Sequence, residues 1–186
     1  SVYRDFVELP SQILENWATE KEYLDMWAVH YQTGEAIPAE LVEKIVAAKN
    51  YLAAYSNLRQ LSFGLTDMAW HTLKTPYEGE IEPFEVESMS TVQITPVVAG
   101  TAMNTSFTHI FDGGYAAGYY GYKWAEVLAA DAFSLFKEKG IFDPATAKAF
   151  RHLMEQGGQR HPMDIYVEFR GHEPQPEALV SAMGLK

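Results

Sequence analysis

The segment His109-Ile110-Phe111-Asp112-Gly113-Gly114-Tyr115-Ala116-Ala117-Gly118-Tyr119-Tyr120-Gly121-Tyr122-Lys123-Trp124 concentrates phenols, an imidazole and glycines in one short run. If it is helical from about Tyr115, then Tyr115, Tyr119 and Tyr122 fall four and three residues apart on one face, with Tyr120 turned away. A phenol with a pKa of about 10 stays protonated at neutral pH and can donate a hydrogen bond. Several such donors on one stripe suit a polar substrate or an oxyanion that develops during a reaction. Ala116, Gly118 and Gly121 keep the segment slim, so that a helix or a ligand can come close, and Gly113-Gly114 allow a hinged loop before it. The same spacing also describes an aromatic core stripe with helix-packing glycines, and the pattern leaves both readings open.

A second segment, Arg4-Asp5-Phe6-Val7-Glu8-Leu9-Pro10-Ser11-Gln12, sets Glu8 among Phe6, Val7 and Leu9. A carboxylate buried in such company needs a partner or a metal. A Glu on the exposed side of a first helical turn fits the pattern equally. The histidines His30, His71, His109, His152, His161 and His172 include no pair four residues apart. The His-Glu-x-x-His helix of many zinc peptidases is therefore absent. His152 with Glu155 comes nearest to a ligand pair, on a helix whose polar face reads as solvated. Neither a Gly-x-Ser-x-Gly elbow nor a phosphate-binding glycine loop occurs.

The elements that must carry these groups read as helices. Ser11 is a candidate cap for a first helix with Ile13, Leu14 and Trp17 on one face, and Glu22 to Tyr31 spaces Tyr23, Leu24, Trp27 and Ala28 helically before Thr33-Gly34 stops it. Pro38 suits a first turn. From there Leu41, Ile45, Val46, Tyr51 and Leu52 lead toward Leu58, Leu61 and Met68, as two helices broken near Asn50 or one bent helix. Lys74 to Ser106, punctuated by Pro76, Gly79, Pro83, Pro96 and Gly100, reads as a long connection with at most a short alternation at Ser90 to Thr95. Helix resumes at the tyrosines and ends at Gly140. Asp143-Pro144 starts the next helix and Gly157-Gly158 ends it, with short helices after Pro162 and Pro176. The fold class is mainly α.

The chain has 186 residues, 47% of them hydrophobic and 21% charged, which describes a globular chain able to bury a core. Fourteen Lys and Arg against 25 Asp and Glu give a net charge of -11, poorly suited to neutralising a phosphate backbone. Nucleic acid is therefore disfavoured as a partner. There is no cysteine, hence no disulfide, thiolate zinc site or thiol nucleophile, in keeping with a reducing compartment. No apolar run approaches the length of a membrane span.

Both segments resemble the C-terminal part of the zinc metallopeptidases that include thimet oligopeptidase, oligopeptidase A and bacterial peptidyl-dipeptidase. The resemblance rests on Asp5 to Gln12, Glu15-Asn16-Trp17, His30-Tyr31-Gln32-Thr33-Gly34, the block from His109 to Trp124, and Phe169-Arg170-Gly171-His172-Glu173-Pro174, in order over essentially the whole chain. His30-Tyr31-Gln32 and Asp67-Met68-Ala69-Trp70-His71 lean toward the peptidyl-dipeptidase branch, which removes dipeptides from free C-termini.

The resemblance implies that residues 1–186 form one C-terminal piece of a neurolysin-like catalytic domain, with its substrate-cleft segment at 107–124. It implies that Glu8 is the third zinc ligand and that Tyr115 and Tyr122 donate to the carbonyl oxygen as the tetrahedral intermediate forms. His109, Gly113, Gly114 and Tyr119 would line the substrate cleft, with the two glycines in a flexible loop, and Arg4 would help hold the metal helices. The substrate is expected to be a short peptide, and the partner the N-terminal part of the same enzyme, which carries the His-Glu-x-x-His helix. Zinc belongs to the full-length enzyme and is not expected to be held tightly by this piece, which is expected to be inactive alone. The cytoplasm is the expected compartment, with the periplasm an alternative. A competing reading is a non-catalytic helical peptide-binding module derived from the same family.

Overall fold

The computed structural model describes residues 2–185. They fold as two compact units, one made of residues up to 53 and from 125 onward, the other of residues 54–124. Among the described residues the regular structure is helical, and the β pairing is a single antiparallel bridge between Val29 and Ala36.

In the first unit, α1 (Leu9–Leu14) starts at Leu9, two residues before the expected cap Ser11, with Pro10 in its first turn. Proline in the first turn gives up an N–H that would have had no intrahelical partner. Leu9 and Ile13, four apart, are fully buried. The segment expected to be helical from Glu22 to Tyr31 keeps one turn, α2 (Lys21–Leu24). Beyond it the chain doubles back: Ile37 N–H donates to Ala28 O at 2.9 Å and His30 N–H to Glu35 O at 2.8 Å, around Gly34 at φ +74°. α3 (Ala39–Lys49) ends at Asn50, where the break was expected, and Leu52 follows at φ +55°. Of α3's apolar residues Val42 is buried, whereas Leu41, Ile45 and Val46 are exposed.

The first unit's core is built on α7 (Tyr120–Lys139), whose Ala125, Leu128, Ala129, Ala132, Phe133 and Phe136 recur at helical spacing and are buried. Trp17 packs edge-on to Phe133 and Phe136, with ring centroids 4.6 and 4.9 Å away, and donates Nε1–H to Ile141 O at 3.1 Å. α8 (Pro144–Glu155) adds Phe150 and Leu153, and α9 (Pro162–Arg170) adds Ile165 and Tyr166. Buried Asp131 is satisfied from α9. Tyr166 donates its hydroxyl to Asp131 Oδ2 at 2.7 Å, and Arg170 Nε donates to Asp131 O at 3.0 Å. Burial, and then the hydrogen bond to Asp131, push the Tyr166 phenol above its ordinary pKa, so it stays a donor. α10 (Glu177–Ala182) closes the chain after Pro176.

The second unit holds α4 (Ala53–His71, from Ala54 on), α5 (Ile81–Met89), α6 (Thr108–Phe111) and the first turn of α7. The stretch expected to be a long connection thus contains a helix of nine residues, because Pro83 sits in its first turn, where no backbone donor is needed. The alternation at Ser90 to Thr95 makes turns rather than a strand, with Val92 and Gln93 both donating to Met89 O. The segment after α5 is tied back by two carboxylates: Glu85 accepts from the N–H groups of Met103 and Asn104 at 3.0 and 2.7 Å, and Glu82 from Gly100. α4 is unusual in what it buries. Its buried residues are Ser62, Thr66 and Asp67, while Leu61, Leu65 and Met68 are about 40% exposed. The face expected to be apolar core is therefore the outer one here. The buried face is a hydrogen-bonding seam, with Thr66 2.8 Å from the Ser88 hydroxyl.

Candidate functional site

The second unit gathers His109, Tyr115, Tyr119 and Tyr122 into one aromatic cluster. Tyr115 stacks on Tyr122 with centroids 4.8 Å apart, and Tyr119 lies 5.1 Å from Tyr122. The His109 imidazole stands 6.0 Å from Tyr115, 6.2 Å from Tyr119 and 6.3 Å from Tyr122. The three tyrosines are half-buried and His109 is exposed, so the cluster has both a packed back and a wet front. Tyr120 is half exposed and takes no part in it.

The route to this convergence differs from the expected single helical face. α7 begins at Tyr120, so Tyr115 and Tyr119 precede the helix. The chain reaches them through turns. Gly113 N–H and Asp112 N–H both donate to Thr108 O, Tyr115 N–H donates to His109 O at 3.0 Å, and Gly114 and Ala117 take φ of +82° and +51°. A helix through this stretch would have sent the N–H groups of residues 117 and 119 to the carbonyls of 113 and 115. Here both go to Asp67 on α4, Ala117 N–H to Oδ1 at 2.9 Å and Tyr119 N–H to Oδ2 at 2.8 Å.

Magnitudes account for the choice. A non-glycine residue in the left-handed region costs roughly 1–2 kcal/mol. Both N–H groups are bonded in either conformation, so the difference lies with Asp67, a fully buried acceptor that a helix would leave without these two donors at a cost of about 1–3 kcal/mol. That penalty offsets one strained Ala117.

Asp67 is fully buried, and His71, one turn along α4, places Nδ1 2.8 Å from Asp67 Oδ1. The sequence reading passed over Asp67 as a functional residue, although a carboxylate four residues before a histidine, between Leu65 and Met68, was a readable signal. It also passed over Gln60, Phe63 and Phe107. The Tyr119 hydroxyl donates to Gln60 Oε1 at 3.2 Å, and its ring lies 5.7 Å from Phe63 and 5.2 Å from Phe107. Tyr119 is thus the member of the trio most deeply engaged with its own scaffold. A groove of about 380 Å³ beside α4 and α5, lined by Leu58, Phe63, Val86, Met89 and Val97 among others, includes neither His109 nor the tyrosines. The groove also presents polar groups, from Tyr55, Arg59, Gln93 and Thr101, whereas the cluster sets an imidazole and two further phenol rings around Tyr122.

Glu8 belongs to the first unit. It stands at the N-cap position of α1 with φ -88° and ψ -6°, half-buried between buried Phe6 and Leu9. Ser11 donates its hydroxyl to Glu8 Oε2 and to Glu8 O, each at 3.0 Å. The local chemistry suits an oriented carboxylate, one oxygen of which is already directed by a neighbour. Zinc sites take three or four protein ligands. Among the described residues no three His, Asp or Glu side chains gather in that way, so this chain's own donors do not fit a complete zinc site. Glu155 of the weaker sequence pair is engaged by Arg151 at 2.8 Å, and His152 lies 3.8 Å from Glu168 instead.

Comparison with known proteins agrees with the resemblance. The profile of peptidase family M3 matches residues 1–185. Over 184 residues the chain is 48% identical to oligopeptidase A of Escherichia coli strain K12, covering 98% of this chain and 27% of that protein. Over 185 residues it is 35% identical to dipeptidyl carboxypeptidase of Salmonella typhimurium, covering 98% of this chain and 27% of that protein. Saccharolysin of Saccharomyces cerevisiae is 38% identical over 193 residues, which cover 100% of this chain and 26% of that protein. Overall identity thus favours oligopeptidase A over the dipeptidyl carboxypeptidase toward which two short motifs lean. The chain spans about a quarter of the length of these relatives, and across that span the tyrosine block, the Glu8 segment and the helical order all fall inside one matched stretch: the chain belongs to peptidase family M3.

Proposed function

We propose that the chain is the C-terminal portion of the catalytic domain of a zinc-dependent oligopeptidase or peptidyl-dipeptidase that hydrolyses short peptides. Family membership and the names of the relatives, oligopeptidase A and dipeptidyl carboxypeptidase, support peptide hydrolysis. In this reading Glu8 contributes one carboxylate ligand, and the remaining ligands come from the family's His-Glu-x-x-His helix, which this chain does not contain. Zinc, when bound in the full enzyme, supplies Lewis-acid activation.

The work assigned to this chain is donation and shape. Tyr115 and Tyr122 present O–H groups to the scissile carbonyl oxygen and strengthen those bonds as negative charge grows on it. His109 and Tyr119 line the cleft, and Gly113 and Gly114 let the loop pass close to the substrate backbone. The observation that carries the reading is the stacked Tyr115–Tyr122 pair with His109 beside it, half-buried at its back and accessible at its front.

Tyr122→Phe in the enzyme that contains this chain keeps the ring and removes the donor. Loss of one oxyanion donor lowers kcat by about 10²- to 10³-fold. Steady-state kinetics with a quenched fluorescent peptide should show that fall with KM little changed. A KM that rises while kcat holds would assign Tyr122 to ground-state binding, and unchanged kinetics would remove its hydroxyl from both binding and oxyanion stabilisation.

A further inference from the structure

We propose that Asp67 is a positioning residue, whose buried carboxyl group, steadied by His71, fixes the 117–119 turn and thereby sets the geometry of the tyrosine cluster. The proposal rests on the peptidase reading for its catalytic consequence, but the clamp itself rests on distances alone. Both carboxyl oxygens are used, each by a different backbone N–H, at 2.9 and 2.8 Å. The two recipients flank Gly118, which is buried, and the second of them is Tyr119, whose ring contacts Tyr122. His71 Nδ1 lies 2.8 Å from Asp67 Oδ1 and equally close to the Asp67 backbone oxygen, and its ring lies 6.1 Å from that of Phe111 on α6, the helix that also carries His109. One side chain therefore anchors the C-terminal half of the tyrosine-bearing turn, while its histidine neighbour touches the N-terminal half.

The alternative for this backbone is a continuous helix from about residue 113, with its N–H groups turned inward to its own carbonyls. In that conformation Tyr115 would project from a helical face rather than stack on Tyr122 from a separate turn. Asp67 is what makes the turn preferable to the helix. It would thus control activity without touching the substrate.

The test uses Asp67→Asn, which keeps the shape but sets an NH2 against one of the two N–H donors, and His71→Gln, placed at the exposed edge of the same contact. Both are made in the full enzyme. Amide hydrogen exchange at Ala117 and Tyr119 reads the clamp directly, and kcat and KM on a short peptide read its consequence. Asp67→Asn is expected to speed exchange at those two amides at least about tenfold and to lower kcat by about 10²-fold with little change in KM, the scale of a misplacement of about 1 Å in a catalytic group. His71→Gln should show the same signature at smaller amplitude, and it carries the test if Asp67→Asn does not fold.

Exchange at 117 and 119 that matches the unsubstituted enzyme overturns the clamp whatever the kinetics. Fast exchange with wild-type kcat overturns its catalytic role. If Tyr122→Phe is kinetically silent while Asp67→Asn still frees both amides, the peptidase reading of the phenols fails and the clamp stands.

Discussion

A Cβ added to Gly113 would lie 2.7 Å from His109 Cα and 3.1 Å from His109 O, closer than real side chains approach backbone. The glycine is therefore required by the crossing of two backbone segments, whether or not the loop also moves. Gly113→Ala must push the 112–115 turn off His109, and with it the stacking partner of Tyr122. Overpacking of this kind typically costs about 1–3 kcal/mol. Urea denaturation of the chain should show that loss, and kcat/KM of the full enzyme should fall with it. A variant with unchanged midpoint and unchanged kinetics would mean that the loop does not pack on His109 in solution. At this scale the sequence was informative about which residue types meet and uninformative about how. The phenols, His109 and the glycine pair could be singled out from spacing, but the stated reason for their meeting, one helical face, was not the operative one. Asp67 supplies that reason from another element, and a single buried carboxylate on a helix leaves no periodic trace.

Helix boundaries were most legible where backbone chemistry is local. Asp143-Pro144, Gly140, Gly157 and the prolines at 162 and 176 mark starts and stops because each supplies a cap, a fixed φ or a positive φ without help from distant residues. They were least legible where a distant group decides, as at Tyr115, or where a proline that looks like a breaker opens a helix, as at Pro83 in α5. The Asp143 cap makes a testable statement about α8. Thr146 N–H and then the Thr146 hydroxyl, both 2.7 Å from Asp143 Oδ2, hold the carboxyl group below its usual range. A depressed folded-state pKa means that the contribution to stability is present above the unfolded value, near 3.9, and is lost as pH falls through the lowered folded value. Asp143→Asn keeps an acceptor for Thr146 but cannot titrate. The stability advantage of the native residue over Asn should therefore shrink as pH drops below about 4, read as a converging pair of thermal melts. Asp143→Ala should melt lower than both near neutrality. Parallel melting curves at every pH would show that the cap is not ionised in the way described.

For the molecule as a whole, the acidic balance and the helical periodicity pointed to a mainly α chain without a nucleic-acid surface. They did not point to two compact units, because the divisions fall at Ala53/Ala54 and Trp124/Ala125, inside α4 and α7, rather than in a Pro- or Gly-rich linker. No described helix is long and apolar enough to cross a membrane. Ligand number makes the molecule-scale prediction. A zinc ion needs three or four protein donors, and the candidate ligand here is Glu8 alone, since no group of three donors assembles among the described residues. Anything that binds only the folded state raises its stability by RT ln(1 + [L]/Kd). A site of a single carboxylate should contribute almost nothing to that expression at micromolar zinc. The purified 186-residue chain, dialysed against zinc and analysed by mass spectrometry of the metal, should therefore retain far less than one equivalent, and its melting temperature should be the same with zinc or with a chelator. The Glu8→Gln variant should behave identically. One equivalent retained, with a melting temperature that falls on chelation and in Glu8→Gln, would show that this chain completes a metal site from its own residues, and the assignment of the remaining ligands to a separate helix would have to be abandoned.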